Sequence, residues 1–210
     1  MRFIDCGVLE YRRALAMQER LATGIAAGNE EETLLLLEHP SVYTIGQGGN
    51  LDNLLIPSIT IERINRGGDV TWHGPGQVVG YPLINLGRRG RDLHRWLHFL
   101  EELILLTLDV FGIKGKCYNN NPGVWARHGK IAFIGVGVRR WVSMHGFCLN
   151  VRPDLRQYGQ INPCGIPDLP VTSMAREGCL LLSETAVKLE LKKNFEQLLH
   201  ERMPQRPSNS

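Results

Sequence analysis

The residue of this chain best placed for covalent chemistry is Cys164, in Ile161-Asn162-Pro163-Cys164-Gly165-Ile166. A structural cysteine ordinarily sits among apolar neighbours inside a strand or helix, and the sequence around Cys148 and Cys179 fits that description. Cys164 lies instead between a proline and a glycine, in a turn that can present its sulfur to a cleft. A thiol has an ordinary pKa of about 8.5 and is only slightly ionised near neutrality, so a nucleophilic cysteine needs a cation or base beside it. Lys130, His73, His128 and His145 are the candidates. Lys130 opens the apolar run KIAFIGVGV, where a lysine is either a solvated strand end or a placed charge. His145, between Met144 and Gly146, fits a hydrogen-bonded core histidine as well as a base.

A second concentration of unusual residues runs from Arg66 to Leu86, RGGDVTWHGPGQVVGYPLINL. Its glycines interrupt an apolar alternation, which sets them at strand ends where main chain can approach a ligand closely. His73 adds a specific polar group to that backbone. Two phosphate-binding patterns fail on inspection. Gly46-Gln47-Gly48-Gly49-Asn50 has no helical pattern behind it, and GVWARHGK (123–130) has the wrong glycine spacing and Ile131 where a magnesium-binding Ser or Thr belongs. His94 and His98 share a helix face without a third ligand and read as a solvated pair.

These residues need a scaffold, and the flanking patterns supply one. Leu9, Met17, Leu21 and Ile25 predict a helix over 9–27, ended by Gly28. Residues 33–38 read as a buried strand, with 42–45 as its neighbour. The clearest helix spans 92–111, capped by Asp92 and Gly112. Residues 130–138 and 141–151 predict an antiparallel hairpin connected through Arg139-Arg140. A last helix covers 183–201 with Val187, Leu191, Phe195 and Leu198 inward, and 204–210 reads as a polar tail. Strands grouped in the middle, with helices at start, centre and end, predict an α+β fold, a mixed and largely antiparallel sheet with helices on one face, in a single domain over 1–203.

Composition narrows the function. A hydrophobic fraction of 43% and a charged fraction of 21% describe a globular protein. The net charge of +3 is too small to argue for nucleic acid and suits an acidic protein partner. Five scattered cysteines without a C-x-x-C predict free thiols in a reducing, cytoplasmic compartment. The first residues, MRFIDCGVLEYRR, lack the apolar run of a secretory signal, and no uncharged stretch reaches membrane-spanning length.

Taken in order, RGGDVTWHGPGQ, GVW, GKIAFIGVGV, WVSMHGFCLNV, INPCGI and VTSM closely resemble the lipoyl(octanoyl) transferase family. The resemblance covers roughly residues 40–180. It implies a fold like the biotin/lipoate protein ligase catalytic domain, with Cys164 as nucleophile and Lys130 as the residue that activates it. It also implies substrate contacts at Arg66, Gly67, Gly68, Asp69, Val70, Thr71, Trp72 and His73, at Phe133, Ile134 and Gly135, and at Gly146, Phe147 and Cys148. Neither metal nor cofactor is implied. The partners implied are octanoyl-acyl carrier protein as donor, and lipoyl domains of 2-oxoacid dehydrogenase complexes and the glycine cleavage H protein as acceptors. Nucleic acid and membrane are not implied as partners. Two positions depart from the family, Trp72 where it usually has Tyr and Cys148 where it has a small residue. Burial of each methylene is worth about 0.8 kcal/mol, but one or two methylenes are discriminated by only about 1–3 kcal/mol, so a preference for octanoyl without strict exclusion of its neighbours is expected.

Two other readings stand beside this one. An ATP-dependent lipoate or octanoate ligase would share the fold without needing the cysteine. A non-catalytic acyl- or lipoyl-binding protein would need neither Cys164 nor Lys130.

Overall fold

The computed structural model describes residues 1–119, 121–179 and 182–206. A seven-stranded sheet forms its spine. Its strands are β1 (Arg2–Val8), β2 (Thr33–Glu38), β6 (Gln77–Leu83), β7 (Lys116–Tyr118), β8 (Asn121–Ala126), β9 (Gly129–Arg139) and β10 (Val142–Asn150), in the order β1-β2-β6-β10-β9-β8-β7. Among the described residues, only β1 and β2 of its strands pair in parallel. A second sheet of three short strands, β3 (Val42–Ile45), β4 (Ile61–Arg63) and β5 (Thr71–His73), has the order β4-β3-β5. The mixed, largely antiparallel α+β architecture is therefore as expected.

Helices lie on both faces of the large sheet, not on one. Helix α1 (Tyr11–Ala27) packs on β6, β9 and β10, and the small sheet's Tyr43 and Trp72, with the adjacent Val70, belong to the same apolar cluster. Helices α2 (Leu93–Val110) and α3 (Glu184–Arg202) pack together on the opposite face, burying Trp96, Phe99, Ile104, Leu191 and Phe195. A strand such as β2, apolar at every position from Leu34 to Leu37 and buried throughout, is covered on both sides.

The helix ends follow from their caps. Asp92 accepts from Arg95 N at 3.0 Å and Ser183 Oγ from Ala186 N at 3.2 Å, each satisfying a free amide of the first turn. Gly28 closes α1 at φ 79°, a left-handed position that suits glycine.

Two local expectations are corrected, and one strand is added. Strand β2 does not neighbour β3; it lies between β1 and β6, and β3 pairs with β4 and β5. The Arg2–Val8 strand was not foreseen, because its residues are only partly buried and carry little apolar alternation. The β9–β10 hairpin turns at Arg140-Trp141, both at positive φ (50° and 63°), one residue later than expected. At the other end of the chain, Met203 is buried and Arg206 N donates to Arg88 O at 2.8 Å; residues 207–210 of the expected tail lie outside the described residues.

Candidate active site

Cys164 sits in a short 3-10 turn, Pro163–Gly165, at φ 58° and ψ 19°. A non-glycine residue in this left-handed region is a strained position that persists only when its surroundings hold it. Those surroundings are specific. Cys164 N donates to Val70 O at 3.0 Å, Asn162 N donates to Asn53 O at 2.8 Å, and Asn53 Nδ2 donates to Asp69 Oδ2 at 2.7 Å. Gly165 fits because a Cβ there would meet Asp69 Oδ2 at 2.8 Å. The INPCGI turn is thus clamped to the Arg66–Val70 segment through Asn53 and Asp69.

Lys130 enters from β9, and its main chain is pinned by the VTSM segment. Lys130 N donates to Pro170 O at 2.7 Å and Thr172 N donates to Lys130 O at 3.0 Å. Its side chain is fully buried, and Nζ donates to Asn121 Oδ1 at 2.5 Å, to Pro122 O at 2.9 Å and to Cys164 Sγ at 3.6 Å. An ammonium has three protons, and these are three acceptors. Burial pulls the Lys130 pKa below its usual value, while the neighbouring Cys164 opposes that shift. Space for the lysine stem comes from Gly123 of GVW, where a Cβ would stand 2.7 Å from Lys130 Cε.

A pocket opens beside the sulfur, with about 490 Å³ of empty space including the part open to solvent. Cys164, Arg66, Gly68, Asp69, Val70, Thr71, His73, Phe133, Ile134, Gly135, Gly146, Phe147 and Cys148 line it, together with Tyr11, Tyr81 and His145. Gly67 lies outside it and lines an adjoining groove that also reaches Cys164. Trp72 lies behind the wall, since alternation along β5 turns it away from the pocket-lining Thr71 and His73 and into the apolar cluster. Its Nε1 donates to Ser41 Oγ at 2.9 Å, and its ring meets Tyr158 edge-on. His128 is remote from this group and hydrogen-bonds Glu177.

Arg66 holds the glycine loop from within. Its guanidinium donates to Gly67 O at 2.9 Å and to Thr44 Oγ1 and O at 2.9 and 3.1 Å. Cys148 stands opposite Phe133 in the β9–β10 ladder, and burial pushes its thiol up to about 12. It is a neutral filler of the pocket floor, unlike Cys164, which is partly exposed.

The closed end of the pocket is polar. Strands β6 and β10 pair only as far as Gly80 and Phe147; beyond this, Ser143 Oγ donates to Pro82 O and accepts from Ile84 N, bridging the gap. Tyr81 and His145 flank this divergence, with ring centroids 6.4 Å apart. Tyr81 O–H donates to His39 Nε2 at 2.8 Å, and His39 Nδ1 donates to Leu9 O at 2.6 Å. His145 Nε2 donates to Asn65 O at 3.0 Å. Thr71 Oγ1, His73 Nδ1 and His145 Nδ1 are buried with no hydrogen-bond partner among the described residues.

The sequence reading missed Asn53, Asn121, Pro122, Tyr11 and Tyr81. Asn121 and Pro122 lie directly before GVW, and the prolyl carbonyl there is a signal that chain order alone offers. Tyr11 and Tyr81 carry no local mark.

This fold, with its cysteine–lysine pair at a pocket mouth, belongs with protein ligases and acyltransferases of the lipoyl class: residues 10–196 match the lipoyl protein ligase A/B catalytic domain. A lipoate protein ligase of Thermoplasma acidophilum is similar in fold, with a TM-score of 0.68 at 17% identity over 95% of this chain and 83% of that one. Biotin protein ligase of Aquifex aeolicus shares the fold more distantly, with a TM-score of 0.57 at 14% identity over 96% and 70% of the two chains. Sequence similarity goes further. The octanoyltransferase of Geotalea uraniireducens is 52% identical over 208 residues, 99% of this chain and 97% of that protein. The chain belongs to the octanoyltransferase family of acyltransferases.

Proposed function

We propose that this chain moves an octanoyl group from acyl carrier protein to a lysine of a lipoyl domain, through a thioester on Cys164. The observation that carries the reading is the Lys130 Nζ to Cys164 Sγ contact of 3.6 Å at the mouth of the pocket. With two of its protons held by Asn121 and Pro122, the ammonium is directed at the sulfur and favours the thiolate.

The first step breaks the thioester of the donor. Cys164 thiolate attacks the carbonyl carbon, the bond to the carrier sulfur breaks, and the departing thiolate takes a proton from Lys130. Exchange of one thioester for another is close to balanced.

Acylation removes the anion beside Lys130, and burial then favours its neutral amine. In the second step that amine takes the proton of the incoming lysine as its nitrogen attacks the acyl carbon. Cys164 leaves as thiolate beside a restored ammonium, so the cycle closes. An amide is more stable than a thioester, and the transfer runs downhill without ATP. The reading includes a reducing, cytoplasmic compartment, which the free state of all five cysteines supports. No helix among the described residues is long and apolar enough to cross a membrane.

Structural neighbours that are ligases motivate a direct comparison. Octanoyl carrier protein and free octanoate with ATP are each offered with an apo lipoyl domain, and the modified domain is quantified by mass. Product from the carrier alone is expected; product only from octanoate and ATP overturns the transferase reading.

A further inference from the structure

Three cavities follow one another across the molecule. The groove lined by Gly67, Leu97, Asn121, Pro122 and Ile166 meets the central pocket at Cys164. At the other side, a surface groove of about 670 Å³, the part open to solvent included, runs between α1 and the Glu62–Ile64 strand end, lined by Arg12, Leu15, Ala16, Glu62 and Ile64. Tyr11 is the residue common to this groove and the central pocket.

Its ring is therefore a partition. Tyr11 is 5% exposed, lies parallel to His73 with centroids 6.3 Å apart, and packs against His39 at 5.1 Å. Beyond it the groove is roofed by the ion pair of Arg12 with Glu62, its Nη2 to Oε2 distance 3.0 Å, and Arg12 is largely exposed. Such a surface pair is weak and would yield to an apolar chain. Leu15, Ala16 and Ile64 give that chain something to lie on.

We propose that Tyr11 is a specificity-determining residue that closes the far end of the acyl pocket and sets the longest chain the enzyme accepts. The inference rests on the acyl-pocket reading above. It locates the length limit in one ring, with the histidines fixing that ring in place. A chain too long for the pocket would have to displace a stacked, buried side chain, whereas removal of the ring joins the pocket to the groove behind it.

The test is the ratio of kcat/KM for dodecanoyl over octanoyl carrier protein. Tyr11→Ala raises it by at least about tenfold, the usual scale for a gain or loss of apolar contact in a pocket. Tyr11→Phe keeps the native order of chain lengths because the ring remains. Tyr11→Leu, which keeps more of the packing, moves the optimum to intermediate length and decides the matter if Tyr11→Ala does not fold. Adding Ala16→Trp to Tyr11→Ala refills the groove and restores the preference for octanoyl. An unchanged ratio in folded Tyr11→Leu or Tyr11→Ala, or a gain that Ala16→Trp does not reverse, overturns the assignment. If the unaltered protein takes an octanoyl group but its variants keep the native order, only Tyr11's role fails; if it takes no acyl group of any length, the reading beneath it fails.

Discussion

Asn121 Oδ1 accepts from Lys130 Nζ at 2.5 Å, on the strand next to the one that carries the lysine. With Pro122 O, it takes two of the three ammonium protons and leaves the third for Cys164. A buried donor stripped of its acceptor costs about 1–3 kcal/mol, and here it also loses its aim. Asn121→Ala is expected to slow formation of the acyl-enzyme by about tenfold or more, on the scale of 1.4 kcal/mol per decade, with KM little altered. Single-turnover acylation measures this. A rate equal to that of the native chain would remove Asn121 from the account.

Lys130→Ala should separate the two half-reactions. Acylation should recover in part as pH rises, because added hydroxide can produce the thiolate that Lys130 no longer favours. Transfer to the acceptor lysine should not recover, since its base is gone, a loss of about 10²- to 10⁴-fold. Rapid-quench measurements across alkaline pH test both halves. Equal recovery of both would leave Lys130 with no part in the second step.

Alkylation should be selective. Burial raises the thiol pKa of Cys6, of Cys117 to about 11 and of Cys148 to about 12, whereas Cys164 has an ammonium at hydrogen-bond distance. Limiting iodoacetamide near neutral pH is expected to label Cys164 first, as read by peptide mass, and Lys130→Ala should remove that preference. Faster labelling of any of the other four cysteines in the native chain would contradict the electrostatic picture.

Gly123→Ala tests the space around the lysine. Glycine 123 lies at φ 129°, and a Cβ there would stand 2.4 Å from Ala132 O as well as 2.7 Å from Lys130 Cε. A stability loss of about 1–3 kcal/mol is expected in urea unfolding, with acylation falling further than stability explains. A stable variant with native acylation would show that the lysine stem has room to spare.

Stability should also depend on acidity. Burial holds His39 and His145 at about 4 in the folded chain, below the ordinary 6.5. Between these values the unfolded chain binds protons that the fold refuses, so the stabilisation is complete above the unfolded pKa and declines as pH falls from 6.5 toward 4. The urea midpoint should drop between about pH 7 and about pH 5, and His39→Gln should flatten that slope. A midpoint constant across this interval in the native chain would contradict the burial of neutral imidazoles.

Much of the scaffold could be read locally. Helices α2 and α3 carry their caps and apolar spacing in sequence, and the β9–β10 hairpin is two β-rich runs around a tight turn. Cys164 and Lys130 stand out in the sequence because each is out of place where it sits, a thiol in a Pro-Gly turn and a charge opening an apolar strand, and the structure brings the two side chains together. Partner choice among short strands was not legible, because it depends on distant segments: β2 takes β1 and β6, although β3 is nearer in sequence. Tyr11 looks like any residue at a helix start and Tyr81 like any residue in a buried strand; only the approach of α1 to β6 brings them to the pocket. Trp72 was included with its neighbours, although alternation along β5 turns Thr71 and His73 one way and Trp72 the other.

The most direct measurement is the intact mass of the protein after mixing with octanoyl carrier protein in the absence of acceptor. The native chain should gain one octanoyl group on Cys164, located by peptide mapping and discharged when a lipoyl domain is added, and Cys164→Ser should gain no such thioester. Full-speed transfer to the lipoyl domain by Cys164→Ser, or by a native chain whose sulfur never carries the group during turnover, would contradict the account.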